Sequence, residues 1–349
     1  MMSEVRMKAL VHTEPYRFEM KEYEVPSITD HEVLVRVKAV GICGSDVHGM
    51  SGKTGRRKPP IVMGHEASGV IVKKGKNVQD FELEDRVTFD STVYCNNCSF
   101  CFSGRANLCD NRKVLGVSCD EYKMDGAMAD YAVVPSWILT KLPNNMTFHQ
   151  AAMVEPVSIA YHGVERAGIV LNDLVAVVGS GMIGLLVIQV ARLTGCSAIA
   201  AIDIDDRKLE KAKELGADIL INSSREDPQE ALQRHTGRRE VDVSLEAVGL
   251  SASVGTAISV VRKGGTVVLI GNLAPEVSLP LQIVVTREID VKGSAASNRD
   301  FPVCVDLISS GRIDVDTLIS RVAPLGEGPS WFHTLHEGKE PLFKVILEP

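Results

Sequence analysis

The run Leu174-Val-Ala-Val-Val178, followed at once by Gly179-Ser-Gly181-Met182-Ile183-Gly184, constrains this chain more than any other stretch. A short, continuous apolar segment suits a strand buried on both faces. The three glycines behind it have separate physical tasks in a strand, turn and helix unit. The first permits the tight turn, the second lets a pyrophosphate approach the backbone, and the third lets helix and sheet pack closely. Free amides at the start of the helix then face the phosphates. Residues 174–191 carry no charge and approach bilayer-spanning length, but the glycines interrupt them, so no membrane partner is expected.

A lone glycine fingerprint is weak, and its context gives it weight. A second apolar strand, residues 198–202, ends at Asp203, 19 residues after Gly184. A carboxylate there accepts hydrogen bonds from the adenosine ribose and repels a 2′-phosphate, so NAD is expected rather than NADP, although Arg207 and Lys208 follow closely. The alternation continues with helices at 206–215, 228–235 and 251–261 and strands at 218–221, 241–245 and 266–270, which predicts an α/β doubly wound parallel sheet. The expected cofactor contacts are Gly179, Gly181, Met182, Ile183, Gly184, Asp203 and Lys208, with Val248, Gly271 and Asn272 at the ends of later strands.

Cys95, Cys98, Cys101 and Cys109 ask for a metal, because Cys-x2-Cys-x2-Cys-x7-Cys spacing lets four thiolates converge on one tetrahedral ion. Asn96, Asn97, Ser99, Gly104, Asn107 and Asp110 make the segment a polar turn-forming loop with no core of its own. An iron-sulfur cluster would use the same ligands, and the spacing favours zinc. Disulfides are disfavoured with 8 cysteines in 349 residues and charges but no apolar leader in residues 1–10, and a cytoplasmic setting is expected. Such a site has no open position, so its role would be to fold the loop.

The length exceeds one average domain, and the texture before residue 150 differs from that of the later residues. Val33-Leu-Val-Arg-Val-Lys-Ala-Val40 alternates at period two, 70–73 and 86–88 read as short strands, and glycine and proline punctuate throughout, which predicts a strand-rich barrel. A helix at 302–310 and a closing strand at 344–347 return to that first domain. The expected division is 1–153, 154–292 and 293–349. A net charge of -7 disfavours nucleic acid as a partner.

A second set of metal donors lies in the strand-rich part: Gly41-Ile-Cys43-Gly-Ser45-Asp46-Val-His48 and Gly64-His65-Glu66, with Glu155 further along. Three protein ligands plus an open position form the pattern of a catalytic zinc, though each residue alone has an ordinary structural reading. Taken in order, these motifs, the four-cysteine loop and the glycine fingerprint resemble the zinc-dependent medium-chain alcohol dehydrogenases over nearly the whole chain. Through Cys43 to His48 and Glu155-Pro-Val-Ser158 the chain is most similar to the sorbitol, polyol and threonine dehydrogenase branch.

That resemblance implies a GroES-like β-rich catalytic domain with an inserted Rossmann domain and an active site in the cleft between them. It implies two zinc ions per chain, one structural and one catalytic, the latter held by Cys43 and His65 with Glu66 or Glu155 completing the set. Asp46 would orient the His65 imidazole, and Ser45 and His48 would carry the substrate proton outward. The implied reaction is reversible hydride transfer between NAD and a secondary alcohol of a polyol, cyclitol or sugar-alcohol phosphate. L-threonine or a vicinal diol is the alternative substrate, and an inactive NAD-binding sensor with structural zinc alone is the alternative of another class. Sorbitol enzymes usually carry an arginine and tyrosine pair after the last Rossmann strand, where this chain has Ala296 and Ser297, so plain sorbitol is disfavoured. Arg56, Arg57 and Lys58 are read as a solvated loop rather than a phosphate site. A homodimer or homotetramer is implied, joined through strands at 284–291.

Overall fold

The computed structural model describes residues 6–238, 240–340 and 342–349. The chain forms two compact units, one built from residues up to Glu155 together with those from Ser297 onward, the other from Pro156–Ala296.

The first unit is strand-rich. Its main sheet, among the described residues, runs in the order Leu139–Lys141, Arg86–Phe89, Glu66–Lys74, Glu32–Gly41, Lys344–Glu348, Ile319–Pro324. One edge of Glu32–Gly41 pairs antiparallel with Glu66–Lys74, and the other is shared by Tyr131–Pro135 and the C-terminal strand. The predicted alternation holds only in part: Val33, Val35 and Val37 enter the core and Lys38 on the opposite face is exposed, but Leu34 and Val40 on that opposite face are buried as well. The C-terminal strand carries Val345, Ile346 and Leu347 into the same sheet, all fully buried. Sequence patterning did not foresee the strand Ile319–Pro324 or the helix Gly328–Glu337, whose Phe332 stacks on Phe18 with ring centroids 4.3 Å apart.

The second unit is a parallel sheet in the order Ile219–Asn222, Ala198–Asp203, Leu174–Val178, Val241–Glu246, Val261–Leu269, Asp290–Gly293. The order reverses beside Leu174–Val178, which opens a crevice at the carboxyl ends of the central strands. All five residues of Leu174–Val178 are buried, as a strand covered by helices on both faces requires. Helix ends obey local chemistry: Asp227 caps Pro228–Thr236 through the amides of Gln229 and Glu230, and Gly237 closes it with φ 72°. The 284–291 segment corrects the sequence reading. Leu281–Thr286 is a helix, and only Asp290–Gly293 forms the edge strand. None of the described helices is long and apolar enough to cross a membrane.

Candidate functional site

Strand register assembles the first group of donors. Gly41 lies opposite Glu66 in the antiparallel pair. Two residues past Gly41, Cys43 caps the short helix Gly44–Gly49, and one residue before Glu66 stands His65. Pairing therefore brings together residues that sequence separation alone could not join. Gly64 has φ 97°, and a Cβ there would sit 2.9 Å from the Met128 amide nitrogen, so glycine is required for the chain to turn into His65.

The Cys43 sulfur, a His65 ring nitrogen and a Glu66 carboxylate oxygen lie within 4.8 Å of one another. That spread suits one small cation with mixed sulfur, nitrogen and oxygen donors. His65 and Glu66 are buried and Cys43 is half-buried. Buried Asp46 places Oδ2 3.4 Å from His65 Nδ1. Burial alone would raise the Asp46 pKa, but the charges of His65 and Arg57 outweigh it and hold the carboxyl well below its usual range. Burial likewise opposes charging of His65, and the neighbouring Asp46 and Cys43 overcome it and make the imidazole unusually basic, as a good ligand should be.

The two glutamates differ. The Glu66 carboxylate is held by the buried ammonium of Lys344, which also donates to the Ile42 carbonyl at 3.3 Å. Glu155 lies in the first turn of Val154–Ala167 and accepts from Ser91 Oγ at 3.5 Å. Desolvation, reinforced by Glu66 and Asp90, pushes its carboxyl up to about 7. Glu155 thus faces the same charges as the donor set without belonging to its tight cluster.

Ser45 Oγ donates to Cys43 Sγ at 3.2 Å. His48 comes one helical turn later and is exposed, and partial desolvation with the nearby His336 lowers its pKa below the ordinary histidine value. No hydrogen bond joins Ser45 to His48 among the described residues. Arg57 corrects the solvated-loop expectation. It is buried, its Nε bonds Asp46 Oδ1 at 2.7 Å, and its Nη2 donates to Ser45 Oγ at 3.3 Å. Arg56 remains exposed, and Lys58 pairs with Asp120.

The four-cysteine loop forms the second group, with its sulfurs within 4.8 Å of one another. All four thiols are free of disulfides. The Asn97 amide donates to Cys95 Sγ at 3.4 Å and the Cys95 amide to Cys109 Sγ at 3.3 Å. The Asn97 amide, with Asn111, pulls the Cys95 pKa down to about 6, whereas burial pushes Cys109 up to about 12. Four sulfurs this close, wrapped in N–H donors, fit a closed zinc site. Chelating that ion, or the change Cys98→Ser, is expected to speed amide exchange across residues 95–112 by about a hundredfold or more, since structural zinc supplies folding energy directly. Unchanged exchange protection would contradict it.

In the second unit the carboxyl ends of the strands gather the predicted cofactor residues. Gly179 has φ 96°, and a Cβ on Gly184 would lie 1.8 Å from the Gly179 carbonyl oxygen, whereas one on Gly181 would meet nothing within 4 Å. The loop is therefore closed on its packing side and open at Gly181, where a phosphate would approach. Met182 and Ile183 begin the helix Met182–Arg192. Asp203 ends its strand and accepts from the Ser180 amide at 2.7 Å, which ties the glycine turn to the neighbouring strand. Val248 packs against Gly179, and a Cβ on Gly271 would strike the Gly249 nitrogen at 2.2 Å, so these ends meet in one place. Asn272 comes next and is exposed, and Lys208 is half-buried in Asp206–Glu214. Arg207 is taken by Asp205, Nη2 to Oδ2 at 2.8 Å.

Residues 183–310 match the zinc-binding dehydrogenase family and residues 29–144 the alcohol dehydrogenase GroES-like domain. The chain is 38% identical over 311 residues to L-idonate 5-dehydrogenase of Vitis vinifera, covering 86% of this chain and 83% of that protein. This chain belongs to the zinc-dependent medium-chain alcohol dehydrogenases. D-arabitol-phosphate dehydrogenase of Enterococcus avium is 33% identical, with 94% of this chain and 92% of that protein covered. Among solved structures, an alcohol dehydrogenase of Escherichia coli CFT073 complexed with NADH superposes with TM-score 0.91 at 31% identity, covering 99% of each chain. The dehydrogenase is thus an oxidoreductase of alcohols that uses zinc and a nicotinamide dinucleotide. Sequence reasoning missed two of its buried cations, Arg57 and Lys344. A lysine opening an apolar strand, Lys344-Val-Ile-Leu, was the available signal for the second, because a buried lysine needs an acid.

Proposed function

We propose that this dehydrogenase interconverts a secondary alcohol of a polyol or sugar-derived substrate with the corresponding ketone, using NAD. The observation that carries the reading is the convergence of Cys43, His65 and Glu66 within 4.8 Å, with Glu155 facing the same charges. Two acids beside one thiolate and one imidazole make a polar, hydrogen-bonding site, which suits a polyhydroxylated substrate better than a hydrocarbon alcohol. The named relatives act on idonate and arabitol phosphate, in line with that class.

Cys43, His65 and Glu66 are the residues we assign to the catalytic zinc, and Cys95, Cys98, Cys101 and Cys109 to the structural one. Bound zinc would supply Lewis acidity toward the alcohol oxygen. Asp46 fixes the orientation of the His65 ring. Ser45 Oγ is placed to relay the hydroxyl proton, and His48, whose lowered pKa leaves it neutral near pH 7, is the acceptor assigned at the protein surface, with no direct hydrogen bond between the two. Glu155, with its carboxyl near 7, can hold a proton beside the reacting group. Asp203 would accept the ribose hydroxyls, and with Arg207 committed to Asp205 the nearby charge favours NAD.

We assign the chain to the cytoplasm, where eight free thiols suit a reducing compartment. We also assign it a second copy as partner: Leu279, Leu281, Ile283 and Val285 are exposed next to the edge strand Asp290–Gly293, and pairing would cover both. The testing experiment incubates zinc-loaded protein with polyols, sugar acids and sugar-alcohol phosphates and monitors nicotinamide reduction. Turnover of about 1 per second or faster, higher with NAD than NADP, is expected from a protein holding two zinc ions. One zinc and no oxidation of any alcohol would favour a sensor instead.

A further inference from the structure

In the same unit as the donor set lies a surface cavity of about 310 Å³ lined by Gly55, Arg56, Arg112, Cys119, Asp120, Glu121 and Tyr122. Its size is at the low end for small-ligand sites. Neither Arg56 nor Arg112 forms an ion pair among the described residues. Lys58 pairs with Asp120, so the two arginines face one remaining carboxylate, Glu121, and the cavity keeps a positive excess. Arg112 is held from two sides: its amide donates to the Cys109 carbonyl at 3.1 Å and its Nη1 to the Asn107 carbonyl at 3.1 Å, leaving the rest of the fork free. The four-cysteine loop thus positions one guanidinium of the pair.

The cavity is tied to the reacting end of the site by Arg57. That one guanidinium donates to Ser45 Oγ at 3.3 Å and to the Arg56 carbonyl at 3.0 Å. Ser45 Oγ and the Arg56 carbonyl are therefore within about 9 Å of each other. The backbone of Arg56 is thus held near the reacting end, and the residue lines the cavity beyond it.

We propose that Arg56 and Arg112 form an anion subsite that holds the phosphate or carboxylate end of a polyol whose hydroxyl is oxidised at the Cys43, His65 and Glu66 set. The subsite rests on the dehydrogenase reading above and narrows its substrate class to polyols with a charged terminus. Guanidinium forks match both groups in geometry, and charge-assisted bonds to them are strong. Binding energy gained at this remote end serves to orient the reacting carbon.

The test uses zinc-loaded protein with NAD and three probes, sorbitol, sorbitol 6-phosphate and gluconate, measuring both dissociation constants and kcat/KM. At least one charged probe should bind about tenfold to a hundredfold more tightly than sorbitol, and which one it is separates a phosphate site from a carboxylate site. That preference should collapse in Arg56→Ala and in Arg112→Ala, and Arg56→Lys should retain part of it. Equal binding and turnover of all three probes would remove the subsite while leaving the dehydrogenase reading intact. A preference that survives the double alanine variant would also overturn it. If the wild type oxidises none of the probes with either cofactor, yet binds a charged one preferentially through both arginines, the anion contact stands but the polyol reading on which the subsite rests falls.

Discussion

Cys43→Ser should reduce kcat/KM by about 10³-fold or more, lower the zinc content from two ions per chain to one, and leave NAD affinity within about threefold of wild type. The substitution is chosen because it separates ligation from folding. Cys43 caps the helix Gly44–Gly49, its sulfur accepting from the Ser45 amide at 3.4 Å. Serine is itself a favoured cap, so the helix should survive. What disappears is the thiolate, the strongest donor in a set that otherwise offers one imidazole and one carboxylate already engaged by Lys344. Loss of Lewis acidity is worth several kcal/mol in such reactions, hence the size of the expected effect. On the proposed reading NAD binds at the glycine turn and Asp203, in the other unit, which the change does not touch. Zinc content and equilibrium cofactor binding, measured on the same sample, make the outcome decisive. A variant that keeps two zinc ions and turns over normally would refute the assignment of the donor set.

The parts of this site that were legible in the sequence are those fixed by short-range chemistry. Gly179, Gly181 and Gly184 lie within one turn, and their spacing alone states which of them must be bare of a side chain. The four cysteines likewise sit in one loop and differ from any core-forming pattern. Cys43, His65 and Glu66 are distant in sequence, and only the resemblance to known dehydrogenases joined them. The physical cause of their meeting, Gly41 opposite Glu66, is a register that no local pattern encodes. The different settings of Glu66 and Glu155 were illegible for a related reason, because Lys344, which pairs with Glu66, arrives from the far end of the chain. In Arg56-Arg57-Lys58, hydropathy gives no ground for burying the middle residue. Gly49 supplies it: a Cβ there would lie 2.3 Å from Arg57 Cγ, so the missing side chain makes the groove in which the arginine stem lies. A buried aspartate at 46 needs a cation, and Arg57 supplies it.

Arg57→Leu should destabilise the first unit by about 3–5 kcal/mol, the usual cost of breaking a buried ion pair from one side. Asp46 is fully buried and Arg57 nearly so, their contact is 2.7 Å, and no solvent is at hand to replace the lost guanidinium. Leucine fills much of the stem volume, so the expected loss comes mainly from the unpaired carboxylate rather than from a cavity. The depressed Asp46 pKa has two further consequences. A carboxyl whose folded pKa lies below its unfolded value contributes stability that is present above about pH 4 and is lost as pH falls toward the folded pKa. With Arg57 gone the folded value rises, less of that contribution remains at neutral pH, and acid unfolding of the variant should begin at a higher pH than in the wild type. The second consequence concerns the metal. Asp46 orients His65, so a displaced or protonated carboxyl should weaken zinc binding at the Cys43 set by about 10- to 100-fold. Pairing Arg57→Leu with Asp46→Asn removes both charges together, and a double-mutant cycle should recover at least about 2 kcal/mol of coupling between the two positions. Urea unfolding of the four proteins between pH 4 and 8, with zinc titrations alongside, measures every term. An Arg57→Leu protein within about 1 kcal/mol of wild type, or a coupling near zero, would mean that the Asp46 carboxylate finds compensation elsewhere and that Arg57 does not hold this site together.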